Sequence, residues 1–461
     1  MSALPAVHAT AIPGLLRLEL DLRGDARGFF KENWQRAKMV AGGLPDFAPV
    51  QQNISFNATR GVTRGMHAEP WDKLVSVATG RVYAAWVDLR PGESFGTVAT
   101  QEIGPGDAVF VPRGVANGFQ VLEDGTAYSY LVNDHWSPDA IYLEVDAADP
   151  ALGIGWPVPL DDPAVEMSAK DRANPALADV APFPGPHVLV IGRGQVGRAA
   201  SLLLGGDSVD LPELNIGDPA SVAAFDFSPY DVVVNAAAYT AVDAAETDRA
   251  AAWAVNATGP ALLAAAAREH GFTLVHYSSD YVYDGTAEEH VETEPLAPLG
   301  VYGQSKAAGD LAVAAAPQHY LLRTSWVVGD GNNFVRTMLR LARDGVSPSV
   351  VDDQVGRLSF ADELARATAH LLQARPACGT YHVTNGGQTR SWCDYARMVF
   401  AAAGRDAGDV TAVSTEEYAA GKVLSPRPAY STLSLQRIRA TGFEPVDADE
   451  ALAAYVAAEL A

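Results

Sequence analysis

Residues 187–197 read HVLVIGRGQVG, an apolar run of strand length that breaks into Gly192, Gly194 and Gly197 and then resumes with a helical pattern. The spacing predicts the first strand, turn and helix of a dinucleotide-binding fold. Gly192 permits the tight turn, Gly194 lets a pyrophosphate approach the backbone, and Gly197 lets helix and strand pack closely, with the helix N-terminus toward the phosphates. Arg193, Gln195 and Val196 complete that turn. A lone G-x-G-x-x-G is also an ordinary glycine-rich turn, so its surroundings decide. A long segment precedes it and needs its own account.

Downstream, apolar runs at 188–191, 232–235, 274–278 and 320–324 alternate with Ala-rich helical stretches at 195–204, 244–256 and 260–270. This alternation predicts an α/β doubly wound parallel sheet with its ligand at the carboxyl ends of the strands. Polar residues fall there. NAAAY supplies Asn235, Ala236, Ala237 and Tyr239; SSDYVYDG supplies Ser279; YGQSK places Tyr302 and Lys306 four apart, on one helix face. Lys306 can make Tyr302 more acidic and the Ser279 hydroxyl can bond a substrate oxygen, which gives a proton donor for a carbonyl that receives hydride.

Upstream, short runs at 15–20, 50–56, 74–78, 82–89, 98–103, 108–111, 118–122 and 127–132 are separated by turn residues such as Gly80 and Asp124-Gly125. No helical period intervenes, so this part is an all-β sandwich or barrel, for which a cupin-type jelly roll is expected. Its histidines, His8, His67 and His135, are scattered, which disfavours a metal-dependent oxygenase. The densest chemistry is GVTRGMHAEPWDK, with Arg64, His67 and Lys73. Arg64 and His67 are an odd number apart, so a regular strand would turn them to opposite faces unless a bulge or turn intervenes. Residues 179–186, DVAPFPGP, are expected to be a short, semi-rigid linker.

The chain of 461 residues suggests two or three domains, and its formal net charge of -23 argues against nucleic-acid and anionic-membrane partners. Cys378 and Cys393 have no metal-ligand spacing, so no metal site is expected and reduced cytoplasmic thiols are the simplest reading. The N-terminal stretch lacks a basic region and contains Pro5 and Pro13, unlike a signal peptide. The apolar run 250–267 contains Asn256, Gly259 and Pro260 and fits a buried helix better than a membrane span.

The first part resembles the nucleotide-sugar 3,5-epimerase family that acts on dTDP-4-dehydro-6-deoxyglucose, through ARGFFKENW, QQNISFNATRGVTRGMH, KLVSVATGRVYAAWVDLR, ALGIGWPVP and MSAKDRANPAL, in the family's order. The resemblance implies His67 as base, Asp171 as its partner, Lys73 beside the enolate and Tyr130 as the acid across the ring. It implies Arg27, Phe30, Glu32, Gln51, Asn53 and Arg64 as holders of nucleotide and sugar. GVANGF places Asn117 where the family commonly has histidine, and His135-Trp136 replace tandem tyrosines. No cofactor is needed for this half.

The second part resembles the dTDP-4-dehydrorhamnose reductase family of the short-chain dehydrogenase superfamily, through NAAAYTAVDAAE, SSDYVYDG, GVYGQSKAAGD, LRTSWVVG and VVDDQVGRLSFADELA. The implied triad is Ser279, Tyr302 and Lys306, with Asp280, Tyr281 and Trp326 along the sugar. Asn235 and Tyr239 would lie along the cofactor, which Asp210 and Arg193 leave open as NADH or NADPH. The domains are expected at 1–178 and 187–461, joined by 179–186. The function implied is bifunctional: epimerisation at carbons 3 and 5 of the dTDP-sugar, then reduction at carbon 4. The alternatives are one catalytic half with a binding or regulatory module, or a related product such as a singly epimerised or UDP sugar. A homodimer is expected from the epimerase family's habit.

Overall fold

The computed structural model describes residues 4–138 and 140–460. The chain divides between Gly185 and Pro186 into two compact units, each with its own core.

In the first unit, strands β1 (Ala6–Ala9), β2 (Leu16–Glu19), β3 (Leu22–Asp25), β4 (Gly28–Lys31), β5 (Gln51–Asn57), β6 (Thr63–Ala68), β7 (Lys73–Thr79), β8 (Val82–Asp88), β9 (Val98–Ile103), β10 (Asp107–Val111), β11 (Val115–Val121), β12 (Thr126–Val132) and β13 (Leu143–Glu144) follow one another closely. They form a six-stranded sheet, β1-β2-β10-β7-β12-β5, and a five-stranded one, β13-β6-β11-β8-β9, while β3 and β4 pair as a separate hairpin. Between the sheets Val75, Val77, Val109 and Tyr128 meet Trp86, Phe119 and Val121. The outer face of the first sheet is also covered, with Leu74 and Phe110 packing on Met39 and Phe47. Burial on both faces explains why β7 reads as a nearly continuous apolar run rather than a clean alternation. The architecture is the cupin-type jelly roll.

In the second unit, β14 (Val188–Ile191), β15 (Asp207–Val209), β16 (Val232–Asn235), β17 (Thr273–Ser279), β18 (His319–Thr324) and the strand Gly379–His382 form a parallel sheet in the order β15-β14-β16-β17-β18 and then Gly379–His382. One face packs Val190, Val234 and Val275 on Ala200, Leu364 and Leu371; the other packs Leu189, Val233 and Leu274 on Leu263, Ala267 and Val313. The chain reverses direction across the sheet between β14 and β16, so the glycine turn and the NAAAY segment flank one crevice at the strand ends.

The expected single helix at 244–256 is instead two short helices, Val242–Ala245 and Arg249–Trp253, followed by a π turn at Ala254–Thr258 and the helix Gly259–His270. Pro260 has no N–H to offer the carbonyl of Asn256, and the wider turn accommodates that lost bond. The stretch Arg249–His270 is long enough to cross a membrane and contains an 18-residue window of mean hydropathy 1.3. Here Leu263, Ala264 and Ala267 pack against the sheet.

Candidate active sites

The odd spacing of Arg64 and His67 is overcome by a bulge in β6. Asn117 of β11 faces His67 and Phe119 faces Arg64, so Gly65 and Met66 together oppose Gly118. The extra residue restores a common direction, and Arg64 and His67 line the same cavity. Gly65 makes this possible: its φ is +104° and a Cβ there would lie 2.6 Å from the Asn117 carbonyl oxygen.

The cavity has a volume of about 750 Å³ and collects Arg64, His67, Lys73, Asn117, Tyr130 and Asp171. His67 Nε2 lies 2.9 Å from Asp171 Oδ1, and the other carboxylate oxygen of Asp171 accepts from the Gly65 N–H at 3.3 Å. Asp171 opens a 3-10 turn, Asp171–Ala173, and its own N–H donates to the Ser168 hydroxyl at 3.0 Å. Its carboxylate is buried while His67 stays about one-third exposed, so a fixed anion stands behind a ring that still reaches the cavity. Lys73 enters from β7, its ammonium against the Glu69 carboxylate and 5.7 Å from the centre of the Tyr130 ring. Burial, helped by Glu69, raises the pKa of Tyr130 and keeps the phenol protonated. Asn117 accepts a hydrogen bond from the Tyr128 hydroxyl at 3.1 Å.

The remaining first-unit residues lie elsewhere. Gln51 and Asn53 sit on the edge strand β5 opposite Val132 and Tyr130, bonded to each other at 2.9 Å, and Gln51 also to His135 at 3.0 Å. Arg27 is exposed on the β3–β4 turn in an ion pair with Asp25. Phe30 and Glu32 line a different cavity, of about 440 Å³.

In the second unit the helix Gln195–Leu204 begins directly after the glycine turn. Gly192 has φ +96°, and a Cβ on it would lie 2.7 Å from the Ala237 nitrogen. A Cβ on Gly194 would meet nothing within 4 Å, which leaves open space over the helix N-terminus where a pyrophosphate fits. Val196 packs into the core, Gln195 reaches the 332–333 segment, and Ala236 donates its N–H to Ile191 O at 2.8 Å. Asp210, at the end of β15, accepts the Arg193 N–H at 2.7 Å, while the Arg193 guanidinium is held by Glu213 and by Ser208 O. The residues thus fit a nicotinamide dinucleotide at its phosphates and offer both an acid and a cation near its ribose.

Ser279 ends β17, and its hydroxyl donates to Asp280 Oδ1 at 2.9 Å and accepts the Tyr281 N–H at 3.2 Å. Tyr302 and Lys306 project from the helix Val301–Val313 and are buried. Burial raises the pKa of Tyr302, which a hydrogen bond with Ser279 partly offsets. Burial lowers that of Lys306 to about 8. Asp280, also buried, is raised to about 6 despite hydrogen bonds with Ser431 and Ser279. Tyr281 meets the Tyr302 ring edge-on, centroids 5.5 Å apart. Trp326 stacks on Trp392 at 3.8 Å with a left-handed φ of +46°, a strained conformation for a bulky residue.

The family model described as RmlD substrate binding domain matches residues 187–460, and that for dTDP-4-dehydrorhamnose 3,5-epimerase matches residues 9–179. The chain belongs to the RmlD family, joined to a domain of the 3,5-epimerase family. A Streptococcus pyogenes protein named RmlC homolog is 51% identical over 179 residues, 37% of this chain and 89% of that protein. A Burkholderia thailandensis dTDP-4-dehydrorhamnose reductase is 43% identical over 277 residues, 55% of this chain and 91% of the relative. The crystal structure of a Bacillus anthracis dTDP-4-dehydrorhamnose reductase in complex with NADP aligns with a TM-score of 0.55 at 32% identity, covering 60% of this chain and all of that one.

Three further polar residues, which the sequence did not single out as site residues, brace the candidate sites. Asn256, inside the π turn, accepts the Tyr239 N–H at 2.9 Å and donates to Tyr239 O at 3.0 Å and to Ser305 at 3.1 Å. It thereby ties the NAAAY segment to the helix carrying Tyr302. Glu246 accepts from the Val301 N–H, at the start of that helix, and from the Ser425 hydroxyl. In the epimerase domain, Glu69 supplies the counter-charge that a buried Lys73 requires. Among the described residues, no three His, Cys, Asp or Glu side chains gather as a metal-binding group.

Proposed function

We propose that this chain carries two consecutive steps on one nucleotide-linked sugar: inversion of carbons 3 and 5 of dTDP-4-dehydro-6-deoxyglucose in the first unit, and reduction of its carbon-4 ketone in the second. The observation that carries this reading is the pairing of His67 with Asp171 in a cavity shared with Lys73 and Tyr130, on the same chain as Ser279, Tyr302 and Lys306.

In the first unit the ketone acidifies the protons on the neighbouring carbons. His67, oriented by Asp171, removes one of them. The Lys73 ammonium meets the developing enolate oxygen, and Tyr130 returns a proton from the other face. Arg64 and Asn117 sit where the sugar and its diphosphate would pass. In the second unit, a nicotinamide held at the glycine turn supplies hydride when bound. Tyr302 donates the proton to the ketone oxygen, Ser279 hydrogen-bonds that oxygen, and the Lys306 ammonium stabilises the phenolate that remains. Asp280, Tyr281 and Trp326 are assigned to the sugar, and Asn235, Ala237 and Tyr239 to the cofactor. Asp210 suits the free ribose of NADH and Arg193 the ribose phosphate of NADPH, so both are expected to serve.

We read the chain as a soluble cytoplasmic homodimer with no nucleic-acid or membrane partner. Support for the dimer is the edge strand β5, which exposes Ile54 and Phe56, together with the exposed Phe29 and Phe30 of the separate β3–β4 hairpin. A second copy would cover that edge. It would also give Arg27, Phe30 and Glu32, which lie outside the cavity of their own chain, a route to the nucleotide of the partner.

The test is to incubate the full chain with the dTDP-4-keto sugar in deuterated water, with and without NADPH or NADH. Exchange at carbons 3 and 5 is followed by NMR and cofactor oxidation by absorbance. Exchange without cofactor, followed by reduction to the L-sugar when cofactor is added, is the expected result. Absence of exchange removes the epimerase half of the reading, and absence of oxidation with epimerised sugar removes the reductase half.

A further inference from the structure

We propose that His276 is a positioning residue of the reductase site, setting the environment of the Lys306 amine at the end of a hydrogen-bond chain that starts at the Ala237 N–H, beside the glycine turn. The proposal rests on the reductase reading above.

His276 lies on β17 directly across from Asn235 on β16, so both side chains project from the same face of the sheet, and both are about 1% exposed. Asn235 Oδ1 accepts the Ala237 N–H at 3.2 Å, which directs its amide nitrogen to His276 Nδ1 at 3.0 Å. That ring nitrogen must therefore accept, and the proton of the neutral imidazole sits on Nε2. Nε2 faces Lys306 Nζ at 3.4 Å, while the amine also donates to Tyr277 O at 2.7 Å. A neutral amine can accept from this N–H, whereas an ammonium can only oppose it. The contact thus favours the neutral amine and weakens its hold on the proton, while the Tyr277 carbonyl holds the nitrogen in either state.

The surrounding charges are few. On its own helix Lys306 has Tyr302 and, one turn on, Asp310, which favours the ammonium but is itself paired with Arg323 of β18 at 2.8 Å. Asp280 follows β17. Burial and the nearby Lys306 keep His276 itself neutral. At the other end of the chain, Ala237 is packed against Gly192, where a Cβ would lie 2.7 Å from its nitrogen. Asn235, His276 and Lys306 form a buried series that reaches the glycine turn through the half-buried Ala237. A residue that merely filled space here would be apolar, since each of these polar groups has to be satisfied.

The test uses the full chain with epimerised sugar and NADPH. In His276→Gln the side-chain carbonyl can accept from the ammonium, so the alkaline limb of the kcat profile is expected to move up by about one pH unit. In His276→Phe the chain is cut; kcat is expected to fall about 10- to 100-fold with little change in KM for the sugar. Wild-type limbs and kcat in both variants would overturn the proposal. If the variants do not fold, 15N NMR of the histidine-labelled wild type decides, with the His276 signal assigned through its perturbation in Lys306→Met. A neutral Nε2–H tautomer that does not titrate between about pH 5 and 8 is expected, and an Nδ1–H tautomer or a titrating ring would refute the chain. A wild type that oxidises no NADPH would instead remove the reductase reading itself.

Discussion

The carboxylate of Asp171 stands 2.9 Å from Nε2 of His67, although 104 residues separate them in sequence. The carboxylate is buried and anchored by the Gly65 N–H, so it sets both the orientation and the charge balance of the imidazole.

Replacing Asp171 with Asn keeps the shape but removes the anion. If His67 is the base proposed above, deuterium exchange at carbons 3 and 5 falls about 10²- to 10⁴-fold, as for histidine bases deprived of their carboxylate. Reduction of already epimerised sugar, measured by NADPH absorbance, should be unchanged.

Gly65 is the steric key to that geometry. In Gly65→Ala the Cβ would lie 2.6 Å from Asn117 O at φ +104°, so the bulge must shift. We expect a loss of about 1–3 kcal/mol in the first unit, by denaturant titration of the full chain. Exchange should be impaired even where the protein remains folded, because Arg64 and His67 lose their common direction.

Tyr302→Phe removes the proposed proton donor while leaving its ring packing on Tyr281. NADPH oxidation is expected to drop about 10²- to 10⁴-fold with carbon-3 and carbon-5 exchange retained. In the wild type, oxidation should decline as pH rises through about 8, where Lys306 loses the charge proposed to support the tyrosinate.

Asp280 exchanges stability for function. Its folded pKa of about 6 lies above the usual 3.8, so the folded state binds the proton more tightly than the unfolded one. The associated stability is complete below the unfolded value and is lost as pH rises through about 6. Asp280→Asn should therefore stabilise the second unit at pH 7, by about 1–3 kcal/mol, and by much less at pH 4. Calorimetry at the two pH values checks this, and sugar turnover should fall in the same variant.

Local pattern made much of the molecule legible. Turn residues between short apolar runs marked the strands of the barrel, and the glycine turn with its alternating strands and helices marked the parallel sheet. The β3–β4 hairpin, with Leu22, Phe29 and Phe30 exposed, left no such pattern because it packs no regular face against the core. The break in the 244–256 helix was equally hidden, since it falls at residues 246–248, between Val242–Ala245 and Arg249–Trp253, where no proline or glycine marks it; the proline at 260 acts only on the π turn, four residues earlier.

The sequence by itself determined the two fold classes and nominated most of the candidate side chains, because both rest on short-range periodicity and on motifs a few residues long. Only the tertiary structure decided how they combine. Whether Arg64 and His67 share a face depends on one inserted residue opposite Gly118. Whether Lys306 meets a neutral histidine depends on strand register between Asn235 and His276. Such relationships depend on backbone geometry and on contacts between distant segments, which no local spacing encodes.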